Sequence, residues 1–391
     1  MKYCIIGNGA AGTDAALGIR TKNEEADIEI FTSSNHHLYY RPKLVEYVGS
    51  QMKPEDLILH NEDLYIQKKI KVNLNCKIVS IENDKKIILD SKGKEHKYDF
   101  LIIATGARNF LPPVEGSNLK GVFSLRNFGD ADLINSYAES VKKIVIAGGG
   151  LLGLETANSL LRVCKDVTVV EIADNLLPRQ LDDQGGGFLK QLLIKKGLKF
   201  ICGTSVKQIN GNEKIESLTL STGEKIEADM LVFSAGIRPE IDLALSSGIK
   251  CDKGIVVNNH LETSVKGIYA AGDCIQMEGK LFGLWISAKE QGKTAGLSAC
   301  GMSETYKGSY PPVVLKITGI DLFSAGYDPL SEEFANAEKK VVINDSVYKK
   351  IYYKNGKALA TMIIGDSSAA LMARKLMSGT LSLDEFLNTM K

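Results

Sequence analysis

The chain has 391 residues, 44% of them hydrophobic and 24% charged, the usage of an ordinary globular protein, and at roughly 100–200 residues per domain the length predicts two to four domains. Its 48 Lys and Arg against 47 Asp and Glu leave a formal charge of +1, without the basic excess of a dedicated nucleic-acid binder, and no apolar run approaches the roughly 20 residues of a membrane helix. The seven cysteines, Cys4, Cys76, Cys164, Cys202, Cys251, Cys274 and Cys300, form no C-x-x-C or C-x-x-x-x-C pair; this points to a reducing cytoplasm and away from a zinc site or a sequence-adjacent redox disulfide.

The chain opens on a short apolar strand, Tyr3-Cys4-Ile5-Ile6, that runs straight into Gly7-Asn8-Gly9-Ala10-Ala11-Gly12, leaving no room for a signal peptide. A helical stretch over 13–20 and a second strand at 28–31 complete a β-α-β unit. A buried strand is predicted over 98–106, ending in the turn Thr105-Gly106, and Leu111-Pro112-Pro113 then breaks the pattern, so the first domain pauses near Arg108. The opening pattern returns in Lys143-Ile144-Val145-Ile146-Ala147-Gly148-Gly149-Gly150-Leu151-Leu152-Gly153, followed by a helical stretch over 154–163 and a strand at 167–170. One G-x-G-x-x-G is weak, because glycine-rich turns are common. Two in matching β-α-β context are specific: the glycines serve a tight turn, close approach of backbone to a pyrophosphate and helix-to-strand packing, with the phosphate on the helix N-terminus.

A strand over 229–236 closes the second unit, whereas Gly267-Ile268-Tyr269-Ala270-Ala271-Gly272-Asp273 completes no pattern begun there and is assigned back to the first domain. A loop over 301–312, with Ser303, Gly308, Ser309, Pro311 and Pro312, precedes strands predicted at 313–317, 340–343, 347–353 and 358–364 and a helix over 367–377, a small α+β domain.

Two dinucleotide folds, the first interrupted by the second, with Ala104-Thr105-Gly106 at a strand end and a late Ala271-Gly272-Asp273, resemble the FAD-dependent pyridine nucleotide-disulfide oxidoreductase superfamily. Within it, Tyr40-Arg41-Pro42-Lys43-Leu44, the segment 283–292 around Trp285, Leu315-Lys316-Ile317-Thr318-Gly319-Ile320-Asp321-Leu322-Phe323-Ser324 and Ile364-Gly365-Asp366 look like the NADH:rubredoxin oxidoreductases and the flavin domains of assimilatory nitrite reductases. The fold class implied is α/β and glutathione-reductase-like. It comprises two Rossmann-like domains, a discontinuous FAD domain over 1–108 and 236–305 and an NAD domain over 109–235, followed by a small α+β C-terminal domain over 306–391.

The resemblance implies FAD and NADH as cofactors. Gly7, Gly9 and Gly12 would cradle the FAD pyrophosphate, Arg41 would contact it, Thr105 and Gly106 would lie against the cofactor, and Asp273 would bind its ribityl and phosphate region. An acid often ends the second strand to hold the adenosine ribose, but here the run is Phe31-Thr32-Ser33-Ser34, so the Thr32 hydroxyl is the candidate. Gly148, Gly150 and Gly153 would bind the nicotinamide dinucleotide. Glu171 accepts hydrogen bonds from ribose hydroxyls and repels a 2′-phosphate, and Ile172-Ala173-Asp174-Asn175 lacks the arginine that a phosphate needs, which favours NADH over NADPH. Glu155 matches a family glutamate near the nicotinamide and Trp285 lies in a flavin-proximal segment; these two are the candidate catalytic residues. A helix preceding or containing Glu290-Gln291-Gly292 would present its positive end to the flavin.

Relatives that reduce disulfides or peroxide carry a cysteine near the position of residues 39–44, or a C-x-x-x-x-C in the first helix, and this chain has neither. That leaves transfer of single electrons to a protein carrier, rubredoxin or a similar small redox protein, in the cytoplasm, with no nucleic acid or membrane as partner. Lys339, Lys340, Lys349, Lys350, Lys354 and Lys357 face only Glu338 and Asp345 in their stretch and are a candidate docking patch for an acidic carrier, or a solvated face. Cys274, read as lying at a helix N-terminus, is either a redox thiol or a packing residue. His36 and His37 point to opposite sides of an extended segment and have no chelating partner, so no metal is expected. The competing readings are an NADH oxidase or peroxide-reducing flavoprotein, a nitrite-reductase-type electron-transfer component, and an NADH-sensing flavoprotein.

Overall fold

A computed structural model describes residues 1–390 apart from 51, 309–311, 318 and 335; Ser309 and Pro311 of the expected loop and Thr318 of the C-terminal motif lie outside the described residues. The chain divides into two compact units, residues 1–43, 53–110 and 236–309, and residues 44–52, 111–235 and 310–391. Among the described residues no helix is long and apolar enough to cross a membrane.

The first unit is built on a five-stranded parallel sheet in the order Ile268–Ala270, Phe100–Ile103, Lys2–Ile6, Asp27–Phe31, Ile70–Asn73. Its central strands read as continuous apolar runs because both faces are covered: Cys4, Ile5, Ile30, Leu101, Ile102 and Ala270 are wholly buried. The strand that the sequence reading returned to this domain pairs in parallel with Phe100–Ile103. The helix Ala10–Lys22 follows the first glycine motif, and the Arg20 guanidinium in its last turn donates to the carbonyls of Asn23, Glu24, Ala26, Lys68 and Lys69, tying the helix end to the turn leading into the next strand. The helix Trp285–Ala299 crosses it at backbone contact: a Cβ on Gly292 would lie 2.1 Å from the Ala11 carbonyl oxygen, and one on Gly296 2.3 Å from that of Ala15. A three-stranded antiparallel meander, Ile78–Glu82, Ile87–Asp90 and Glu95–Lys97, completes the unit.

The second unit repeats this plan. Its parallel sheet runs Lys199–Cys202, Asp166–Glu171, Lys143–Ala147, Met230–Phe233, Val122–Ser124, and it carries its own meander, Val206–Asn210, Ser217–Leu220 and Lys225–Glu227. The C-terminal region of the same unit is a five-stranded antiparallel sheet in the order Val313–Ile317, Ile320–Ala325, Lys357–Ile364, Tyr348–Lys354, Glu338–Ile343. Phe323, Ile351 and Ile363 from the sheet share one core with Ala373 and Phe386 from the helices Ser367–Met377 and Leu383–Thr389. The strand Ile320–Ala325 and the last helix are additions to the elements expected from sequence.

One carboxylate ties this sheet to the rest of its unit. Asp182 caps the helix Asp183–Lys195 by accepting from the Gly185 amide at 2.9 Å, and it also accepts from the hydroxyls of Tyr348 (3.0 Å) and Tyr352 (2.8 Å) and pairs with the Lys350 ammonium. This corrects the lysine patch. Lys349 and Lys350 are buried, at 9% and 6% exposure, and each is consumed by an acid from another element, Lys349 by Asp366 at 2.8 Å and Lys350 by Asp182. Lys340 donates to the Leu387 carbonyl, so Lys339, Lys354 and Lys357 are the exposed members of the expected patch.

Candidate functional site

The two glycine motifs have the same division of labour. Gly7 has φ +112°, and a Cβ there would lie 2.1 Å from the Ala104 carbonyl oxygen; a Cβ on Gly12 would lie 1.9 Å from that of Gly7. In the second motif Gly148 has φ +129° and meets the Ser234 carbonyl oxygen at 2.3 Å, while Gly153 meets that of Gly148 at 2.0 Å. The outer glycines are therefore demanded by the chain's own packing. The middle ones, Gly9 and Gly150, have nothing within 4 Å of such a Cβ. Each is the N-cap of its helix, Ala10–Lys22 and Leu151–Leu160, and neither offers a side-chain cap. Each helix thus starts from a residue without a side chain or a side-chain cap, with open space where a Cβ would be, the arrangement that lets a phosphate approach a helix N-terminus.

In the first unit the other predicted residues gather at one sheet edge. Ile6 is level with Phe31 and Ile103, and Ile103 with Ala270, so Gly7, Thr32, Thr105, Gly106 and Asp273 all follow the carboxyl ends of adjacent parallel strands, where ligands of open α/β sheets bind. Thr105 donates its hydroxyl to the Glu240 carbonyl at 2.7 Å, and Gly106, at φ +75°, accepts from the Glu240 amide. Thr32 is buried and its hydroxyl accepts from the Ser34 amide at 3.2 Å, which leaves the hydroxyl hydrogen to donate. Arg41 lies with its guanidinium 5.5 Å from the Tyr39 ring centroid. Trp285 opens its helix and meets Tyr40 edge-on, with ring centroids 5.2 Å apart.

Among the described residues, the buried polar atoms of this unit that lack a hydrogen-bond partner include Asn8 Nδ2, His37 Nδ1, Arg41 Nε and Gln291 Nε2. The other ends of two of these side chains are fixed. Asn8 Oδ1 accepts from Thr13 at 3.0 Å and Tyr65 at 3.1 Å, and Gln291 Oε1 accepts from the Gly272 amide at 2.8 Å. A buried orphan of this kind costs about 1–3 kcal/mol, so side chains held rigidly with a free donor fit a polar, anionic cofactor. Sequence reasoning missed Asn8 and Gln291 as candidates, although Asn8 lies inside the first glycine motif.

In the second unit Glu171 ends its strand with its carboxylate buried in the glycine loop, accepting from the Gly149 amide and from the Ala173 amide at 2.8 Å. Glu155 lies one turn into the helix Leu151–Leu160. Burial, with the like charge of Glu46, pushes its carboxyl up to about 7. Both acids line a cleft of about 770 Å³ together with Met52, Asn158, Arg162 and Lys165, a size typical of small-molecule sites. The segment carrying Glu46 is held on this helix by Gly49, at φ +66°, where a Cβ would lie 2.5 Å from the Ser159 carbonyl oxygen; its amide donates to Asn135 at 2.8 Å. The pairing of Glu46 with Glu155 has no signal in the sequence.

Cys274 is not at a helix start. It lies in the turn between the strands Ile268–Ala270 and Ile275–Gln276, wholly buried, with its thiol donating to the Ala271 carbonyl at 3.3 Å, and burial pushes its pKa up to about 11. A thiol so protonated is a poor nucleophile. His37 stacks on Tyr65 with ring centroids 5.1 Å apart.

Residues 1–292 match the family described as pyridine nucleotide-disulphide oxidoreductase. The chain belongs to that family. Residues 311–380 match the rubredoxin NAD+ reductase C-terminal domain. Among relatives of this pyridine nucleotide-disulphide oxidoreductase, the nitrite reductase [NAD(P)H] of Bacillus subtilis is 34% identical over 93% of the chain, and the NADH-rubredoxin oxidoreductase of Clostridium acetobutylicum is 31% identical over 98%. The chain spans about half the length of the first of these, 45%, and 96% of the second. The solved NADH:rubredoxin oxidoreductase from Clostridium acetobutylicum superposes with a TM-score of 0.82 at 31% identity, covering 99% of each chain. The cofactors of the family are FAD and NAD(P)H, and the two open glycine cradles fit two such dinucleotides. The disulphide of the family name has no counterpart here, since all seven cysteines are free.

Proposed function

We propose that this pyridine nucleotide-disulphide oxidoreductase takes reducing equivalents from NADH onto FAD and passes electrons singly to a small redox protein, rubredoxin foremost, in the cytoplasm. The observation that carries the reading is the combination of two open glycine cradles with seven free cysteines and, in the segment where thiol-using relatives keep a cysteine, a Tyr40 packed edge-on against Trp285. Such a protein has the means to hold both dinucleotides and lacks the thiol pair that would divert electrons to a disulfide.

Bound FAD supplies the conversion between two-electron and one-electron chemistry; the residues supply position and charge. Gly7, Gly9 and Gly12 with Arg41 hold the FAD pyrophosphate, Asp273 takes its ribityl region, Thr105 and Gly106 support it from the neighbouring strand end, and Thr32 donates to the adenosine ribose. Gly148, Gly150 and Gly153 hold the second dinucleotide. Glu171 takes its ribose hydroxyls, and its charge disfavours a 2′-phosphate. Glu155 serves the nicotinamide end and Trp285 the flavin edge. This division assigns residues 1–108 and 236–305 to FAD, 109–235 to NADH and 306–391 to the C-terminal domain.

Anaerobic stopped-flow of the FAD-loaded protein tests it. NADH is expected to bleach the flavin at least tenfold faster than NADPH, and rubredoxin to reoxidise it far faster than oxygen or peroxide. Slow rubredoxin turnover beside fast peroxide turnover would overturn the reading. The similarity to nitrite reductase over 93% of the chain favours a second reading, an electron-input component for a larger reductase; in that case reduction by NADH is fast and rubredoxin is a poor acceptor, as are oxygen and peroxide.

A further inference from the structure

We propose that Cys76, Asp90 and His96 form a binding site for a divalent zinc ion in the first unit. The three residues come from separate segments. Cys76 follows the strand Ile70–Asn73, Asp90 ends Ile87–Asp90, and His96 is the middle residue of Glu95–Lys97. The antiparallel hairpin pairs Ile88 with His96, which turns the imidazole toward Asp90, and the backbone bond from Ser91 to Lys77 brings the loop carrying Cys76 to the same place.

The donor atoms already have nearly the spacing that zinc requires. His96 Nε2 is 3.0 Å from Asp90 Oδ2, Cys76 Sγ is 3.7 Å from that oxygen, and all three lie within 4.8 Å of one another. Tetrahedral zinc with bonds of about 2.0–2.3 Å sets its ligands roughly 3.3–3.6 Å apart, so the ion fits after movements of about 1 Å. One thiolate, one imidazole and one carboxylate form a donor set suited to zinc, and three protein ligands leave a fourth position for water.

The surroundings hold these ligands as metal sites do. Asp90 and His96 are 5% and 8% exposed, while Cys76 is half-buried and offers the way in. The second carboxylate oxygen of Asp90 accepts from the amides of Lys92 at 2.9 Å and Lys94 at 3.0 Å, which fixes its orientation from behind. The His96 ring packs on Phe31 with centroids 4.6 Å apart, and the Cys76 amide donates to the Thr32 carbonyl at 2.8 Å. An ion here would clamp the hairpin to the end of the second strand of the parallel sheet. On binding, the Cys76 thiol proton leaves to solvent as zinc bonds to sulfur, the proton that His96 Nε2 shares with Asp90 is exchanged through solvent so that the ring proton sits on Nδ1 and Nε2 presents its lone pair, and the hydrogen bond to Asp90 gives way to two metal bonds.

The experiment uses the FAD-loaded protein stripped of metal by a chelator and titrated with cobalt(II) under argon, read as difference spectra against the flavin. One equivalent is expected to produce a thiolate-to-cobalt charge-transfer band in the near ultraviolet, which zinc then bleaches; C76S and H96N each lose the band while keeping the wild-type far-ultraviolet dichroism. Zinc should also raise the melting temperature of the wild type by several degrees and leave C76S unmoved. Absence of a band in the wild type, or a band that survives C76S, would overturn the site and leave the three residues as a hydrogen-bonded brace. Neither readout depends on turnover with NADH.

Discussion

Gly150 and Gly153 occupy the same motif and carry opposite burdens. A Cβ on Gly153 would sit 2.0 Å from the Gly148 carbonyl oxygen, whereas one on Gly150 meets nothing within 4 Å, and Gly150 has φ −78°, ψ −178°, a conformation open to alanine. Gly153→Ala is therefore expected to destabilise by at least the 1–3 kcal/mol typical of overpacking and to lower the yield of folded protein. Gly150→Ala should melt within a degree or two of wild type and yet bind NADH about tenfold or more weakly; a thermal melt paired with an NADH titration separates the two. Glu155 makes a pH-dependent prediction. Its carboxyl is raised to about 7 in the folded chain from 4.5, so between those values the folded state holds a proton that the unfolded state has lost. Stability from this group must fall as pH rises from 4.5 to 7 and stay low above. After allowance for the solvent that reaches it, the loss is of the order of 2 kcal/mol. E155Q should abolish it: urea midpoints of variant and wild type should coincide near pH 4.5 and differ in favour of the variant at pH 8. The glycines and Glu171 were legible because motif spacing fixes them. Glu46 beside Glu155, and Asp90 between Cys76 and His96, were not, because each grouping joins segments that no local pattern relates. The expectation of no metal rested on spacing along the chain, which says little about donors delivered by a hairpin.

At the scale of elements, the lysine run shows why a charge count misleads. Lys349 and Lys350 are neighbours in a strand, so their side chains leave on opposite faces, and each face brings its own acid, Asp366 or Asp182. On the Asp182 face, Tyr348, Lys350 and Tyr352 are alternate residues of one strand and converge on one carboxylate. Removing that charge strands a buried ammonium, which costs about 3–5 kcal/mol, well beyond the roughly 1 kcal/mol of a lost helix cap. D182N keeps a capping oxygen and should still lower stability by about 3 kcal/mol, with hydrogen exchange accelerating in Tyr348–Lys354. D182N combined with K350M should recover more than half of that loss, because the stranded cation is gone; additive penalties in the double-mutant cycle would count against the latch. The strand Ile320–Ala325 escaped sequence reading because Gly319 joins it to Val313–Ile317 with scarcely a break in the apolar pattern.

For the molecule as a whole, repetition was the legible feature and its full extent was not. The two glycine motifs announced two parallel sheets, while the matching three-stranded meanders, whose strands have only three to five residues, are too short to show an alternation that stands out from their turns. The return of Ile268–Ala270 to the first sheet was read from what the second unit did not need, and the parallel pairing of Ile268 with Leu101 has a consequence for how the protein is made. When a ribosome has delivered Phe100–Ile103, that strand has an open edge, and its partner is still uncoded into peptide. Residues 111–235 must emerge first, on the order of ten seconds at roughly 5–20 residues per second, and they contain every strand of the second parallel sheet. The nascent chain thus reaches a stage at which every strand of the later parallel sheet is present and the earlier one is still waiting for its last, so the sheet that begins synthesis first is the sheet that is completed second.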